Sequence, residues 1–283
     1  MEKGVVYCVG SSYVVRMLVS IWSLRRGSPP IYDGPIAVFT MSKRSHAIGL
    51  RLQNSDLHVV CSQIRAVESG YNAALATKTM IFDETPFAAT LFIDADTLIR
   101  GSLEELFSTP NPLAVTQFAD WTTQHEHVRK HLEDWQGIAD DVDTLVTQCL
   151  IRTDPAINTG VFFFRRGYTG LSQWQQLAIR GASRPVADEI AIQLLLSQLP
   201  DCRVLDDRWN FSPRDGKQRQ DSRIWHFHSS LHRTEVEGAE LWWRLLGEVW
   251  ENNIAGIQDW GPSVGDEDLC KFLEQRGRIR RCT

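Results

Sequence analysis

Two aspartates stand one residue apart directly after a strongly apolar run. Residues 89–93 read Ala-Thr-Leu-Phe-Ile, and Asp94 and Asp96 follow with Ala95 between them. A run without polar alternation is typical of a strand buried on both faces. Ligands of α/β sheets bind at the carboxyl ends of strands, where these carboxylates fall, and such oxygen ligands suit a hard divalent cation. The stretch therefore predicts a Mg2+ or Mn2+ site, with a plain acidic turn as the alternative.

Two further groups of residues are candidates for chemistry, but each has a simpler explanation. Asp188 and Glu189 fall in the first turn of a helix predicted over residues 186–195, where the helix dipole alone favours acids. His127 and His131 have the i, i+4 spacing of a helical metal pair. Without a third ligand nearby, that spacing favours a solvated helix face.

The elements that must position these residues alternate along the chain. Strands are predicted over residues 5–9, 36–39, 57–60, 89–93, 113–118, 157–165, 203–205 and 223–228. Helices are predicted over residues 13–26, 44–52, 72–83, 168–179, 186–195 and 236–250, with a short one from residue 101. Strand–helix–strand alternation with right-handed crossovers predicts an α/β protein built on a parallel sheet. The polar, acidic segment 121–150 predicts an inserted helical lobe.

Composition narrows the class of protein. Hydrophobic residues at 43% and charged residues at 23% are ordinary for a globular protein, and a net charge of −5 argues against a nucleic-acid partner. No run of about 18 apolar residues predicts a membrane span, and the start lacks the apolar region of a signal peptide. The six scattered cysteines favour reduced thiols. We therefore expect a cytoplasmic protein; its oligomeric state stays open.

The order of these features resembles the GT-A glycosyltransferases, most closely the glycogenin-like retaining family (family eight). The similarity spans roughly residues 5–233. It is carried by the strand and turn over residues 5–13, Lys78, the strand with Asp94 and Asp96, residues 158–161, Asp188-Glu189, and residues 226–233. The resemblance implies a Rossmann-like, mixed and mostly parallel sheet flanked by helices, with a small helical insertion. It implies one domain over residues 1–283, divided into a nucleotide-binding half (1–118), the insertion (119–156) and an acceptor and sugar half (157–283).

The resemblance also implies roles for particular residues. Asp94 and Asp96, with His226 as a third ligand, would hold Mn2+ or Mg2+ on the diphosphate of a nucleotide sugar, and the imidazole favours Mn2+. Contacts to the donor are implied for Val9, Ser11, Tyr13, Lys78, Asp94, Ala95, Gly160, Ser229, His232 and Arg233. Catalytic positions around the transferred sugar are implied for Asn158, Asp188 and Glu189.

This set of residues implies a hexosyltransferase that moves sugar from a UDP-sugar to a hydroxyl of a small-molecule, glycan or protein acceptor, with retention. Glu189 stands where the family has a glutamine. A carboxylate there either stabilises an oxocarbenium-like centre, acts as nucleophile as in retaining glycosidases, or serves as base with inversion. The chain departs from the family at Ser229 and His232, which replace a glycine and a lysine, so the lysine's phosphate contact would fall to His232 or Arg233.

Three other classes fit the sequence less well. A haloacid-dehalogenase-type phosphatase requires Thr or Val where Leu98 stands, and its Asp-x-Asp strand lies near the N-terminus. A sugar-1-phosphate nucleotidyltransferase requires a glycine-rich, basic loop after the first strand, which residues 10–13 do not provide. A non-catalytic carbohydrate- or nucleotide-sugar-binding protein on a transferase fold explains the departures at Ser229 and His232. It does not explain the joint presence of Asp94, Asp96 and His226.

Overall fold

A computed structural model describes residues 2–66, 73–213, 219–228, 238–260 and 267–277. The β-strands are β1 (Lys3–Val9), β2 (Ile36–Thr40), β3 (Val59–Gln63), β4 (Ala89–Ile93), β5 (Thr97–Ile99), β6 (Leu113–Thr122), β7 (Pro155–Arg165), β8 (Cys202–Leu205) and β9 (Ile224–His226). The α-helices are α1 (Val14–Arg25), α2 (Lys43–Gln53), α3 (Ala73–Lys78), α4 (Ile81–Glu84), α5 (Glu104–Phe107), α6 (Glu126–Glu133), α7 (Asp140–Leu150), α8 (Thr169–Arg180), α9 (Ala187–Leu195), α10 (Ala239–Glu251) and α11 (Glu267–Gln275).

Seven of these strands form one mixed, mostly parallel sheet in the order β3-β2-β1-β4-β7-β6-β8. β1 pairs with β2, and β2 with β3, in parallel. β6 runs antiparallel to β7 and parallel to β8. β5 and β9 form a separate antiparallel ribbon. The prediction of an α/β fold with a mixed, mostly parallel sheet flanked by helices is confirmed, and α6 and α7 occupy the segment predicted as a helical insertion.

The structure differs from the predicted elements in three places. The helix predicted over residues 72–83 breaks between α3 and α4, where the Thr79 hydroxyl donates to the Ala76 carbonyl at 2.7 Å and competes with the helical ladder. The short strand β5 and helix α11 were not predicted. β5 has only three residues, too few to show a hydrophobic period. α11 is amphipathic, with Leu269, Phe272 and Leu273 buried on one face, so its period was present in the sequence and was missed.

The chain forms two compact units. Unit 1 comprises Met1–Gly4, Ile64–Phe92 and Glu104–Asn210, and unit 2 comprises Val5–Gln63, Ile93–Leu103 and Phe211–Thr283. Unit 1 has an aromatic core, in which the rings of Phe82 and Phe92 contact Phe162 with centroids 6.0 and 4.7 Å away. Trp174 lies 5.0 Å from Phe162 in the same cluster. The division into 1–118, 119–156 and 157–283 stays a prediction.

Among the residues that the structure describes, the cysteines agree with the prediction except at Cys270. Four of them carry free thiols, namely Cys8, Cys61, Cys149 and Cys202. Cys270 is disulfide-bonded, which corrects the prediction of reduced thiols, because scattered spacing along the chain cannot show which sulfurs meet in space. Within the described residues, no helix has the length and apolar character needed to cross a bilayer.

Candidate functional site

Unit 2 contains a compact cluster of two carboxylates and an imidazole. One ligand atom each from Asp94, Asp96 and His226 lies within 4.8 Å of the others. The His226 Nε2 atom is 3.2 Å from Asp96 Oδ1 and 3.8 Å from Asp94 Oδ2. Asp96 and His226 are buried, whereas the Asp94 side chain is 25% exposed, so the cluster opens to solvent on the Asp94 side. It is the only such group of three among the residues that the structure describes.

The β5–β9 ribbon brings these residues together. Thr97 is the register partner of His226, and the Phe227 amide donates to the Asp96 carbonyl at 3.0 Å. The Thr97 hydroxyl donates to the Asp94 carbonyl at 2.8 Å, which closes the turn between the two aspartates. Backbone pairing therefore holds the imidazole beside the acidic turn, although the residues lie far apart in sequence.

The donor set of this cluster fits a divalent cation. A metal–oxygen distance of about 2.1 Å allows ligand atoms to lie up to about 4.2 Å apart, so a small side-chain adjustment brings all three within coordinating range. Two carboxylate oxygens and one imidazole nitrogen suit Mn2+ better than Mg2+, which prefers oxygen alone. The cluster can therefore hold the cation that the sequence predicts.

A buried ion pair lies beside this cluster. The Arg16 Nε atom donates to Asp268 Oδ2 at 2.6 Å, and both side chains are less than a tenth exposed. Burial by itself lowers the pKa of Arg16, but the hydrogen bond and charge of Asp268, with the nearby Asp96 carboxylate, outweigh it and raise the pKa. The Arg16 guanidinium also lies 5.0 Å from the centre of the Tyr13 ring. Arg16 thus stays charged between Asp268 and the acidic turn.

The residues expected near the nucleotide base follow β1. Val9 is buried, whereas Ser11 and Tyr13 are partly exposed. The Ser11 hydroxyl lies 2.8 Å from the hydroxyl of Ser42, the residue that caps α2. Ala95 is buried between the two aspartates. These positions are consistent with the predicted base-binding role, which stays a prediction.

Unit 1 contains a second polar cluster around the predicted lysine. The Lys78 ammonium donates to the carbonyl and the hydroxyl oxygen of Thr159, each at 3.1 Å, and lies 2.5 Å from Asp188 Oδ2. The Thr159 hydroxyl donates to the same Asp188 oxygen at 2.6 Å. Lys78 and Asp188 are both buried, and Asp188 Oδ1 has no hydrogen-bond partner in the described part of the chain. In this arrangement Lys78 neutralises Asp188.

Glu189 is held by the neighbouring amide. Asn158 Nδ2 donates to Glu189 Oε1 at 2.6 Å, and the Gly160 amide donates to Asn158 Oδ1 at 3.0 Å. Glu189 is partly exposed, whereas Asn158 is buried. The structure thus brings together Asn158, Gly160 and Glu189, and their role around a transferred sugar stays a prediction.

Several residues of these clusters were not predicted. They are Arg16 and Asp268 in unit 2, and Thr116 and Asn210 in unit 1, where Asn210 Nδ2 donates to Thr116 Oγ1 at 2.9 Å and to Asn158 Oδ1 at 2.6 Å. Their local sequence gives no reason to single them out, and only the packing shows their partners.

The remaining predicted positions are not part of these two clusters as the structure describes them. Ser229, His232 and Arg233 lie outside the described residues. His127 and His131 lie on α6 and belong to no group of three metal-ligating side chains within the described residues, and the preference for a solvated helix face stays a prediction. Burial lowers the pKa of His131, although Asp134 opposes the shift.

Comparison with known proteins identifies the fold. No protein-family profile matches the chain, and no curated protein matches its sequence. The chain is similar in structure to the bifunctional glycosyltransferase WbbM, with a TM-score of 0.61 and 14% identity over 88% of this chain. It spans 51% of WbbM, about half that protein's length.

Two further solved structures are similar to this chain over nearly their whole length. The galactosyltransferase LgtC, in complex with donor and acceptor sugar analogs, has a TM-score of 0.57 and 14% identity over 87% of this chain and 95% of its own. Mouse xyloside xylosyltransferase 1 has a TM-score of 0.55 and 12% identity over 81% of this chain and 99% of its own. At such low identity these similarities show the fold, which is that of the GT-A glycosyltransferases.

Proposed function

We propose that this chain is a metal-dependent hexosyltransferase that moves a sugar from a UDP-sugar to an acceptor hydroxyl with retention of configuration. The observation that carries the proposal is the convergence of Asp94, Asp96 and His226 directly after β4 in a chain with the GT-A fold. The proposal is also supported by the second polar cluster, in which Asn158, Asp188 and Glu189 are hydrogen-bonded. The proposal includes membership of the glycogenin-like retaining family.

Asp94, Asp96 and His226 hold the cation in this proposal. A bound Mn2+ or Mg2+ supplies Lewis-acid stabilisation of the charge that develops on the departing diphosphate. The buried Asp96 and His226 are fixed by the β5–β9 ribbon, whereas the more exposed Asp94 faces the donor. Because these side chains are prepositioned, little reorganisation is needed when charge develops.

Glu189 acts at the sugar in this proposal. Its carboxylate is oriented by the Asn158 amide and sits at the start of α9, where the helix dipole favours the charged form. A carboxylate in that position stabilises an oxocarbenium-like centre or attacks the anomeric carbon as the diphosphate leaves, and attack followed by displacement by the acceptor hydroxyl gives retention. A base acting on the acceptor hydroxyl would give inversion instead. The acceptor is a small molecule, a glycan or a protein.

The first test is a turnover assay with a panel of nucleotide sugars. The protein is incubated with each donor, with Mn2+ or with EDTA, and released nucleoside diphosphate is measured. We expect turnover that requires the metal. Asp96→Asn should lower kcat/KM at least about 100-fold, whereas Asp56→Asn, an exposed aspartate of the same unit, should leave it unchanged. Metal-independent turnover would overturn the assignment of the cluster.

Binding and stereochemistry are tested separately. UDP with Mn2+ should raise Tm, and at about 100 times its Kd should stabilise the fold by about 2.7 kcal/mol. GDP should not. Binding without turnover would identify the chain as a nucleotide-sugar-binding protein. The anomeric proton of the product, observed by NMR during turnover, distinguishes retention from inversion.

A further inference from the structure

β7 contains a bulge at the residues predicted to face the sugar. Val115 is the register partner of Phe162, whereas the next residue of β6, Thr116, is the partner of Asn158. Residues 159–161 therefore loop out of the ladder between these pairs. Bulges in antiparallel pairs re-aim side chains and are frequent beside active sites. This bulge includes Thr159, whose hydroxyl binds Asp188.

Thr116 closes the two ends of the bulge. Its hydroxyl oxygen lies 2.8 Å from the carbonyl of Asn158 and 2.9 Å from that of Val161. Both carbonyls lie at the register shift, and Thr116, which is fully buried, directs its single hydroxyl proton at them. A buried carbonyl without a donor costs about 1–3 kcal/mol, so this one hydroxyl stabilises the bulged conformation.

Asn210 joins the hydroxyl to the Asn158 side chain. Its Nδ2 atom donates to Thr116 Oγ1 at 2.9 Å and to Asn158 Oδ1 at 2.6 Å. Asn210 is 1% exposed. Among the described residues, its hydrogen bonds reach Thr116 and Asn158 and not Glu189 or Asp188. We therefore expect Asn210 to act on Glu189 through Asn158.

The network fixes the orientation of the Asn158 amide. Its Oδ1 atom accepts from the Gly160 amide, which can only donate, so the oxygen cannot exchange places with the nitrogen. Asn210 donates to the same oxygen. The Asn158 nitrogen must then face Glu189 Oε1, 2.6 Å away.

We propose that Thr116 and Asn210 are positioning residues that keep the Asn158 amide nitrogen directed at Glu189 and so hold the Glu189 carboxylate in its charged, oriented form. The importance of that form for catalysis rests on the proposed function, whereas the network itself does not. A donated hydrogen bond favours a carboxylate over its protonated form. Loss of the network should therefore make Glu189 easier to protonate.

The test is a titration of Glu189 by NMR. In protein with 13C-labelled glutamate, Glu189→Gln identifies the Glu189 carboxyl signal by its disappearance. Thr116→Val removes the hydroxyl at nearly constant volume, and Asn210→Leu removes the donating amide at similar volume without adding a charge near Glu189. Each should raise the titration midpoint of Glu189 by about 1 pH unit. Thr90→Val, which breaks the buried Thr85–Thr90 hydroxyl pair at 2.9 Å elsewhere in unit 1, is the matched control and should not.

Two outcomes decide the proposal. Midpoints in Thr116→Val and Asn210→Leu that equal those of the wild type and of Thr90→Val would overturn it, because a space-filling role predicts that result. Raised midpoints in both variants, with wild-type thermal unfolding in at least Thr116→Val, support it. In turnover assays the same variants should lower kcat about 10-fold or more with little change in the KM for the donor. If no nucleotide sugar turns over, the proposed function fails while the titration still decides the network.

Discussion

Lys78→Met tests the buried charge pair of unit 1. The Lys78 and Asp188 side chains are only 5% and 1% exposed, and Lys78 Nζ lies 2.5 Å from Asp188 Oδ2. The lysine also lies 5.1 Å from the centre of the Phe92 ring. Methionine fills a similar volume, so the substitution removes the charge and its hydrogen bonds while the packing changes little.

The expected loss follows from these contacts. At an effective dielectric constant of about 20, unit charges at this separation attract by about 7 kcal/mol, and much of that offsets desolvation. Removing one partner of a buried pair costs about 3–5 kcal/mol. In Lys78→Met, the Asp188 carboxylate retains only the Thr159 hydroxyl among its described side-chain donors. We therefore expect Lys78→Met to lower the free energy of unfolding by about 3–5 kcal/mol.

The assay is urea unfolding followed by tryptophan fluorescence, to which the ten tryptophans of the chain contribute. The free energy of unfolding of the double variant Lys78→Met/Asp188→Asn should fall by less than the sum of the decreases in the two single variants. The difference should be about 2–3 kcal/mol. Lys3→Met is the control, because the Lys3–Glu104 pair in the same unit is 47% and 66% exposed and contributes at most about 1 kcal/mol. The reasoning would be refuted if the decreases in unfolding free energy of the two single variants simply added in the double variant. It would also be refuted if Lys78→Met lost no more stability than Lys3→Met.

Three further predictions concern other parts of the chain. Arg16→Met should destabilise the fold by about 3–5 kcal/mol by leaving Asp268 buried without its partner, and hydrogen exchange should show reduced protection of α11; unchanged protection would contradict this. Gly181→Ala should lower stability by about 1–3 kcal/mol, because an added Cβ overlaps the Trp135 ring, and a wild-type Tm would show that the ring can move. Burial raises the pKa of Cys149 from 9.0 to about 11. Between these two pKa values the Cys149 thiol is deprotonated in the unfolded chain but still protonated in the folded one. Stability should therefore fall as the pH rises above 9.0. Tm values at about pH 7 and about pH 10 will measure the decrease.

The sequence by itself determined the type and place of most elements. The apolar run over residues 89–93 identified β4, and the two aspartates after it identified the acidic turn of the candidate metal site. Hydrophobic period also placed α8, α9 and α10 to within a few residues. These features are local, because burial of one face imposes a period of 2 or 3.6 on the residues of each element. His226, Asn158, Asp188 and Glu189 were selected by resemblance, since their local pattern is explained equally well without a site.

Only the tertiary structure decided which side chains meet. The pairing of Thr97 with His226 brings the imidazole to Asp96, and the β7 bulge brings Asn210 to Asn158. Lys78 was expected to face the donor, and packing places its ammonium against Thr159 and Asp188. The disulfide at Cys270 was likewise invisible in the spacing. The hydrophobic period indicates which face of an element is buried, but it does not indicate which other element packs against that face. Contacts between residues distant in sequence therefore depend on strand pairing and packing.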